Sequence, residues 1–269
     1  MVRIGVWQAT GTVGSSEQNL ARLDQTATRA AREGIDVVVT PELFATGYAP
    51  AKIHTLDGGE VRRGLAAIAQ RHRIAIVGSS VDQADGLRYI SASFFDPAGT
   101  ELSRYRKSHL FGEEEKSVFM PGSEPAEVFQ YAGLRLALGI CYDIEFPEFA
   151  RAAAVRGADA LLIPTAVPHT GDVDGFPSQQ TYNAERISTI MVPCRALENG
   201  IYIAYANHTP PDFTGLSCIV GPHGNVLALA DQDEELLVAE LSRDEVQRAR
   251  RINTYLPDLG YYVPASAEA

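Results

Sequence analysis

The chain has 269 residues, 45 % of them hydrophobic and 21 % charged, a globular balance that supports a sizeable core. A formal net charge of -11 argues against unspecific binding to nucleic acid or anionic membranes, because both need clustered Lys and Arg. Cys141, Cys194 and Cys218 are odd in number, far apart and without a CxxC pair, so neither a disulfide framework nor a zinc ribbon is expected. No apolar run approaches the roughly 18 residues that span a membrane. The opening Met1–Gln8 is too short in apolar length for a secretion signal and reads as a strand, so a reducing cytoplasm is the expected compartment.

Val2–Trp7 is the first expected strand. Ser15-x-x-Gln18 has the form of a capping box, and Leu20, Leu23, Ala27 and Ala30 carry a helix to about Glu33, where Gly34 stops it. Asp36–Thr40 is a short buried strand ended by Pro41. A helix over 60–72 and a strand over Arg73–Gly78 follow, then strands near 88–95 and 101–106 around the turn Asp96-Pro-Ala-Gly99. The alternation then repeats, with strand Leu134–Ile140, helix Pro147–Arg156 and strand Ala160–Pro164. A helix over 181–198 is expected to bend or break at Pro193. Strands at 201–206, 216–220, 224–229 and 235–240, a helix over 242–250 and a Tyr/Pro-rich tail close the chain. With no low-complexity linker, this is one α/β domain of mixed sheets covered by helices.

Three polar residues sit where apolar strands end. Glu42 follows Val37-Val-Val-Thr40, Lys107 ends Glu101–Arg106, and Cys141 ends Leu134–Ile140. Ligands of layered α/β folds collect outside the carboxyl ends of strands, so the three can meet in one cleft. A thiol is mostly protonated at neutral pH and needs a base or a cation beside it. A Glu can take its proton and return it to a leaving amine, and a Lys can hold the oxyanion. Taken singly, each has an ordinary reading: a helix cap, a solvated lysine, a core cysteine.

The residues around them narrow the choice. Pro41-Glu42-Leu43-Phe44-x-x-Gly47-Tyr48, then Tyr105-Arg106-Lys107-Ser108-His109-Leu110-Phe111-Gly112, then Gly139-Ile140-Cys141-Tyr142-Asp143-x-x-Phe146-Pro147-Glu148 occur in that order. Together with Arg195-Ala196-x-Glu198-Asn199 they resemble the Glu, Lys and Cys motifs of the nitrilase superfamily of carbon–nitrogen hydrolases, in its aliphatic amidase or ω-amidase-like branch. The resemblance implies a four-layer αββα sandwich of two mixed sheets over a single domain of residues 1–269. It implies Glu42 as base, Lys107 as oxyanion stabiliser, Cys141 as nucleophile and the Tyr142 backbone N–H as second oxyanion donor. It further implies a second glutamate after the lysine, for which Glu115 fits best and Glu113 is the alternative. No metal or cofactor is implied; a homodimer or larger homo-oligomer is, formed on the helical face near the nucleophile, with the tail from about 252 as a surface or oligomer extension.

Several further positions carry expectations. Tyr48 is a candidate pocket wall, and Thr165 and Ala166 are expected to meet substrate through their backbones. Phe146 is either pocket wall or core. Asp143 and Glu145 are candidates for ion pairs with Arg151 and Arg156, and His109 for a supporting hydrogen bond. Cys194 and Cys218 are assigned to packing. Asp172-x-Asp174-Gly175 lacks the remaining ligands of a calcium loop, and no Gly-rich phosphate loop or paired His spacing is present. The expected function is hydrolysis of a small aliphatic amide. The alternatives are an N-carbamoyl hydrolase or a nitrilase, a Cys-His-Glu glutaminase using His169 or His208, and a non-catalytic binding protein.

Overall fold

The computed structural model of the protein describes residues 1–169 and 183–261. Among the described residues, twelve strands form two sheets of six. The first sheet has the order β12-β1-β2-β3-β4-β5. It contains β1 Val2–Gln8, β2 Val37–Val39, β3 Ala75–Ala84, β4 Leu87–Phe95, β5 Glu101–Arg106 and β12 Glu235–Leu241. The second has the order β11-β10-β9-β8-β7-β6, from β6 Val128–Tyr131, β7 Leu134–Leu138, β8 Ala160–Pro164, β9 Tyr202–Ala206, β10 Cys218–Val220 and β11 Val226–Leu229. The centre of each is parallel, β1-β2-β3 and β7-β8-β9, and antiparallel strands flank it, so both sheets are mixed.

Side-chain alternation along the first sheet decides the layers. Val6, Val37, Val39 and Val77 point into the core shared with the second sheet. Trp7, Val38 and Ile76 point the other way, onto α1 Ser16–Arg32 and α3 Gly58–His72. On the far side, α5 Pro147–Val155 and α6 Val192–Asn199 cover the second sheet, completing the αββα order of layers. Across the inter-sheet core, Phe94 of β4 meets Phe129 and Tyr131 of β6, with ring centroids 5.0 and 4.9 Å apart. Among the described residues no helix is long and apolar enough to cross a membrane.

Some boundaries differ from expectation. The Ser15 side chain makes no capping bond at α1, so the capping box does not form. Asn19 does the local work instead, accepting from Thr12 N and donating to Thr12 O and Ala45 O. β3 runs six residues past Gly78, because Ser79, Ser80 and Asp82 pair with Ala92, Ser91 and Tyr89 of β4. Asp85 and Gly86, with φ of 51° and 76°, make the two-residue turn between these strands. The acidic stretch after Phe111 forms helix α4 Gly112–Val118, and strand β6 follows it; neither is among the expected elements. Pro193 sits in the first turn of α6, directly after a π-helical turn Ile187–Met191 that absorbs the missing N–H. The expected start of that helix at 181, and Asp172 and Asp174, lie outside the described residues. The tail forms the short helix α8 Tyr255–Asp258.

Phe94 is fully buried between aromatic partners of the opposite sheet. Phe94→Ala is therefore expected to cost about 3–5 kcal/mol of unfolding free energy, measured by urea titration. A loss below about 1 kcal/mol would mean that the two sheets do not share this core.

Candidate active site

Glu42 leaves the end of β2 in a turn whose next residue, Leu43, has φ 52°. Its peptide is clamped between the sheets. Glu42 N donates to Thr165 O beyond β8 at 3.1 Å, and His208 Nε2–H, beyond β9, donates to Glu42 O at 2.7 Å. Lys107 follows β5; its N donates to Ile90 O, and its carbonyl accepts from Gly122 N, both at 2.8 Å. Cys141 follows β7 with φ 46°, a left-handed conformation that a residue with a Cβ adopts under strain. A 3-10 turn, Cys141–Glu145, starts at the thiol itself. The α-helix itself, α5, begins at Pro147 as expected, and Asp143 caps the 3-10 turn before it by accepting from Ile140 N at 3.0 Å.

The structure brings the expected trio together, and Glu115 with it. Lys107 Nζ donates to Glu42 Oε1 at 2.8 Å and Glu115 Oε1 at 2.7 Å, with all three side chains buried. Tyr48 OH also donates to Glu115 Oε1, at 2.6 Å, and Phe111 N donates to Glu115 Oε2 at 2.8 Å. Glu115 is thus an acceptor for three donors, and Tyr48 acts through it. Glu113, the alternative, is 96 % exposed and near Lys116. The periodicity of α4 explains the choice: of its three glutamates, Glu115 is the one on the buried face.

The charges in this cluster hold each other in place. Burial pushes Glu42 well above the ordinary carboxylate range; Lys107 opposes that shift and Glu115 adds to it. Burial also raises the Cys141 thiol, as does Glu42, while Lys107 pulls it down. Burial pulls Lys107 down too, yet the charges around it, Glu42 first, keep its pKa above the ordinary value, so it stays an ammonium. Glu42 Oε2 is buried without a partner of hydrogen-bonding geometry; Lys107 eases the charge of this carboxylate most, and Cys141 adds to that less.

A narrow cleft reaches Cys141, lined by Phe111, Glu145, Ala166, Val167, Pro168 and Ile187. Ala166 lines this cleft. The Thr165 backbone does not face a substrate, because both its polar groups are taken: N by Ala206 O and O by Glu42 N. Its hydroxyl is buried without a full hydrogen bond and eases the charge of Cys141. The Tyr142 ring packs edge-on to Phe111 and Phe146. Phe146 is partly buried against the core and stacks on His109, with ring centroids 3.8 Å apart. Asp143 pairs with His109 rather than with Arg151 or Arg156, Nδ1–H donating to Oδ1 at 2.7 Å. Cys218 is buried as assigned, but Cys194 is exposed, because the buried face of α6 carries Val192, Ala196 and Asn199 and Cys194 lies off it.

Two residues were not singled out for their roles. Arg195 of α6 donates to the carbonyls of Ile144 and Glu145 at 3.2 and 2.9 Å, closing the far end of the nucleophile turn. His208, weighed only as a glutaminase base, spends Nε2–H on Glu42 O and stacks on Phe213. Burial pulls its pKa down to about 4, against the opposing bond to Glu42. Among the described residues, no three His, Cys, Asp or Glu side chains group to hold a metal ion.

Residues 3–251 match the family model described as carbon-nitrogen hydrolase. The chain is 34 % identical to a hydrolase in the pqqF 5' region of Pseudomonas protegens, over 96 % of this chain and 88 % of that protein. It is 33 % identical to an (R)-stereoselective amidase of a Pseudomonas species, over 96 % and 91 %. Among solved structures it is similar to the amidase of Nesterenkonia sp. AN1 in complex with butyramide, with TM-score 0.81 and 37 % identity over 93 % of this chain and 95 % of that one. Another structure of that amidase carries the acetamide moiety of fluoroacetamide on its active-site cysteine.

His208 gives this site a pH signature in stability. Its pKa is 6.5 unfolded and about 4 folded, so below pH 6.5 the unfolded chain takes up a proton that the fold refuses. Stability is therefore expected to fall by about 3 kcal/mol as the pH drops from about 6.5 to about 4. His208→Gln should flatten this part of the curve in urea unfolding at stepped pH. An unchanged slope would mean that His208 titrates normally.

Proposed function

Because the chain belongs to the carbon–nitrogen hydrolase family, we propose that it hydrolyses the C–N bond of a small aliphatic amide to a carboxylate and ammonia. The observation that carries this reading is the buried Glu42–Lys107–Glu115 cluster beside a strained cysteine. Glu42 takes the thiol proton as Cys141 Sγ attacks the amide carbon. Lys107 Nζ and the Tyr142 backbone N–H hold the resulting oxyanion. Glu42 then protonates the leaving nitrogen, ammonia departs, and a thioester remains. Water, deprotonated by Glu42, attacks the thioester, and collapse releases the acid and restores the thiol. Glu115 and Tyr48 keep the ammonium aimed, and Ala166 with Phe111 forms the wall against the acyl group. The reaction uses no metal or cofactor in this scheme.

A thiol nucleophile must stay reduced, which favours a cytoplasmic setting. We also infer a homodimer formed through α5 and α6. Val155, Ile190 and Leu197 are exposed on this face, and α8 from the tail lies against it through Tyr255. The single domain would then span the whole chain, with the tail from about 252 as part of the interface. Light scattering should give twice the 29.1 kDa chain mass, and Leu197→Arg should weaken the dimer; a 29.1 kDa species would overturn it.

Ammonia release from matched amide, N-carbamoyl and nitrile compounds tests the reaction. The amide is expected to turn over fastest. Turnover of the nitrile alone, or of the N-carbamoyl compound alone, would sink the proposal. Cys141→Ala and Glu42→Gln should each lower kcat by at least about a thousandfold. Since Glu42 must be ionised to accept the thiol proton, activity should rise with pH through its raised pKa. The acid limb of kcat/KM should therefore lie well above 4.5, the ordinary value for glutamate, and a limb at 4.5 would contradict this environment.

A further inference from the structure

Lys107 comes from the first sheet and Cys141 from the second. The chemistry proposed above needs their side chains on opposite sides of one carbonyl group, so something must set the spacing of two loops that share no strand. We propose that Asp143 and His109 are a positioning pair that locks the nucleophile turn to the lysine loop. This rests on the roles proposed for Cys141 and Lys107.

Asp143 is fully buried, and its two oxygens face opposite ways along the chain. Oδ2 accepts from Ile140 N at 3.0 Å, one residue before the thiol. Oδ1 accepts from His109 N at 3.0 Å and His109 Nδ1–H at 2.7 Å, two residues after the lysine. One carboxylate thus pins the strained entry to Cys141 and the exit from Lys107. The His109 ring also stacks on Phe146, which ends the nucleophile turn, with ring planes 15° apart. Within the lysine loop, Tyr105 OH donates to Ser108 Oγ at 2.8 Å and accepts from Ser108 N at 3.1 Å, so His109 projects from a loop that is itself braced. Three N–H donors converge on Asp143, which suits an ion that only accepts. An amide there would turn an NH2 group against at least one of them.

The test compares Asp143→Asn, His109→Ala and His109→Asn with the unaltered protein, each checked for folding by circular dichroism. Hydrolysis of butyramide gives kcat and KM separately, and iodoacetamide gives the alkylation rate of Cys141. Asp143→Asn is expected to lower kcat at least about tenfold with KM changed less than about threefold. His109→Ala should fall similarly. His109→Asn keeps an N–H where Nδ1–H stood, and should recover most of the loss. A folded Asp143→Asn protein with kcat within about twofold of the parent would overturn the proposal, as would His109→Asn no faster than His109→Ala. If Asp143→Asn does not fold, the His109 pair decides. If the unaltered protein hydrolyses no amide, the reaction assignment fails by itself; slower alkylation in Asp143→Asn would still support the positioning pair, and equal rates would sink it.

Discussion

A fully buried lysine ammonium organises this molecule. Lys107 has no exposed side-chain surface, and removing such an ion from solvent costs several kcal/mol. The cost is tolerable only because Glu42 and Glu115 sit within hydrogen-bonding distance on either side. Each glutamate is then held from behind: Glu115 by Tyr48 and Phe111 N, and Glu42 through its own peptide by Thr165 and His208. Remove either glutamate and the ammonium loses a counterion; remove a support behind them and a glutamate loses a bond that fixes its position.

That requirement reaches into the scaffold. The groups that hold the ions come from β2, β5, β8, β9 and α4, which belong to both sheets and to a helix beyond them. The inter-sheet core of aliphatic and aromatic side chains sets how far apart the strand ends stand. Close packing makes this distance stiff, so the strand ends deliver their polar residues to fixed points. Cys141 stands at such a point in a left-handed conformation, and the turn after it is secured at both ends, by Asp143 at its start and Arg195 at its finish.

The acid–base properties follow from the same enclosure. Burial disfavours the ionised forms of Glu42 and Cys141, and Lys107 favours both. In the proposed reaction the thiol proton would pass between two groups that the same cation stabilises, so little charge would need to be created when the nucleophile forms. His208 stays neutral beside them for the same reason: burial opposes a second cation there.

Much of this was legible in the sequence. Apolar runs of Val, Ile and Leu marked β1, β2, β7, β8 and β9, and those of β2, β7, β8 and β9 lead into Glu42, Cys141, Thr165 and His208. The motifs around Glu42, Lys107 and Cys141 identified the chemistry because residue types at short spacing are a local property. What sequence could not supply was long-range placement. Whether Glu113 or Glu115 reaches Lys107 depends on which face of α4 packs inward. Whether Asp143 pairs with Arg151, Arg156 or His109 depends on which loop lies opposite the nucleophile turn. That Thr165 spends its backbone on Glu42, and that Cys194 faces outward, depends on contacts between segments far apart in the chain. Local pattern sets which residues end strands. Only the packing of two sheets sets which of those ends meet, because the energies that choose the partners arise from burial and pairing of groups that the sequence keeps apart.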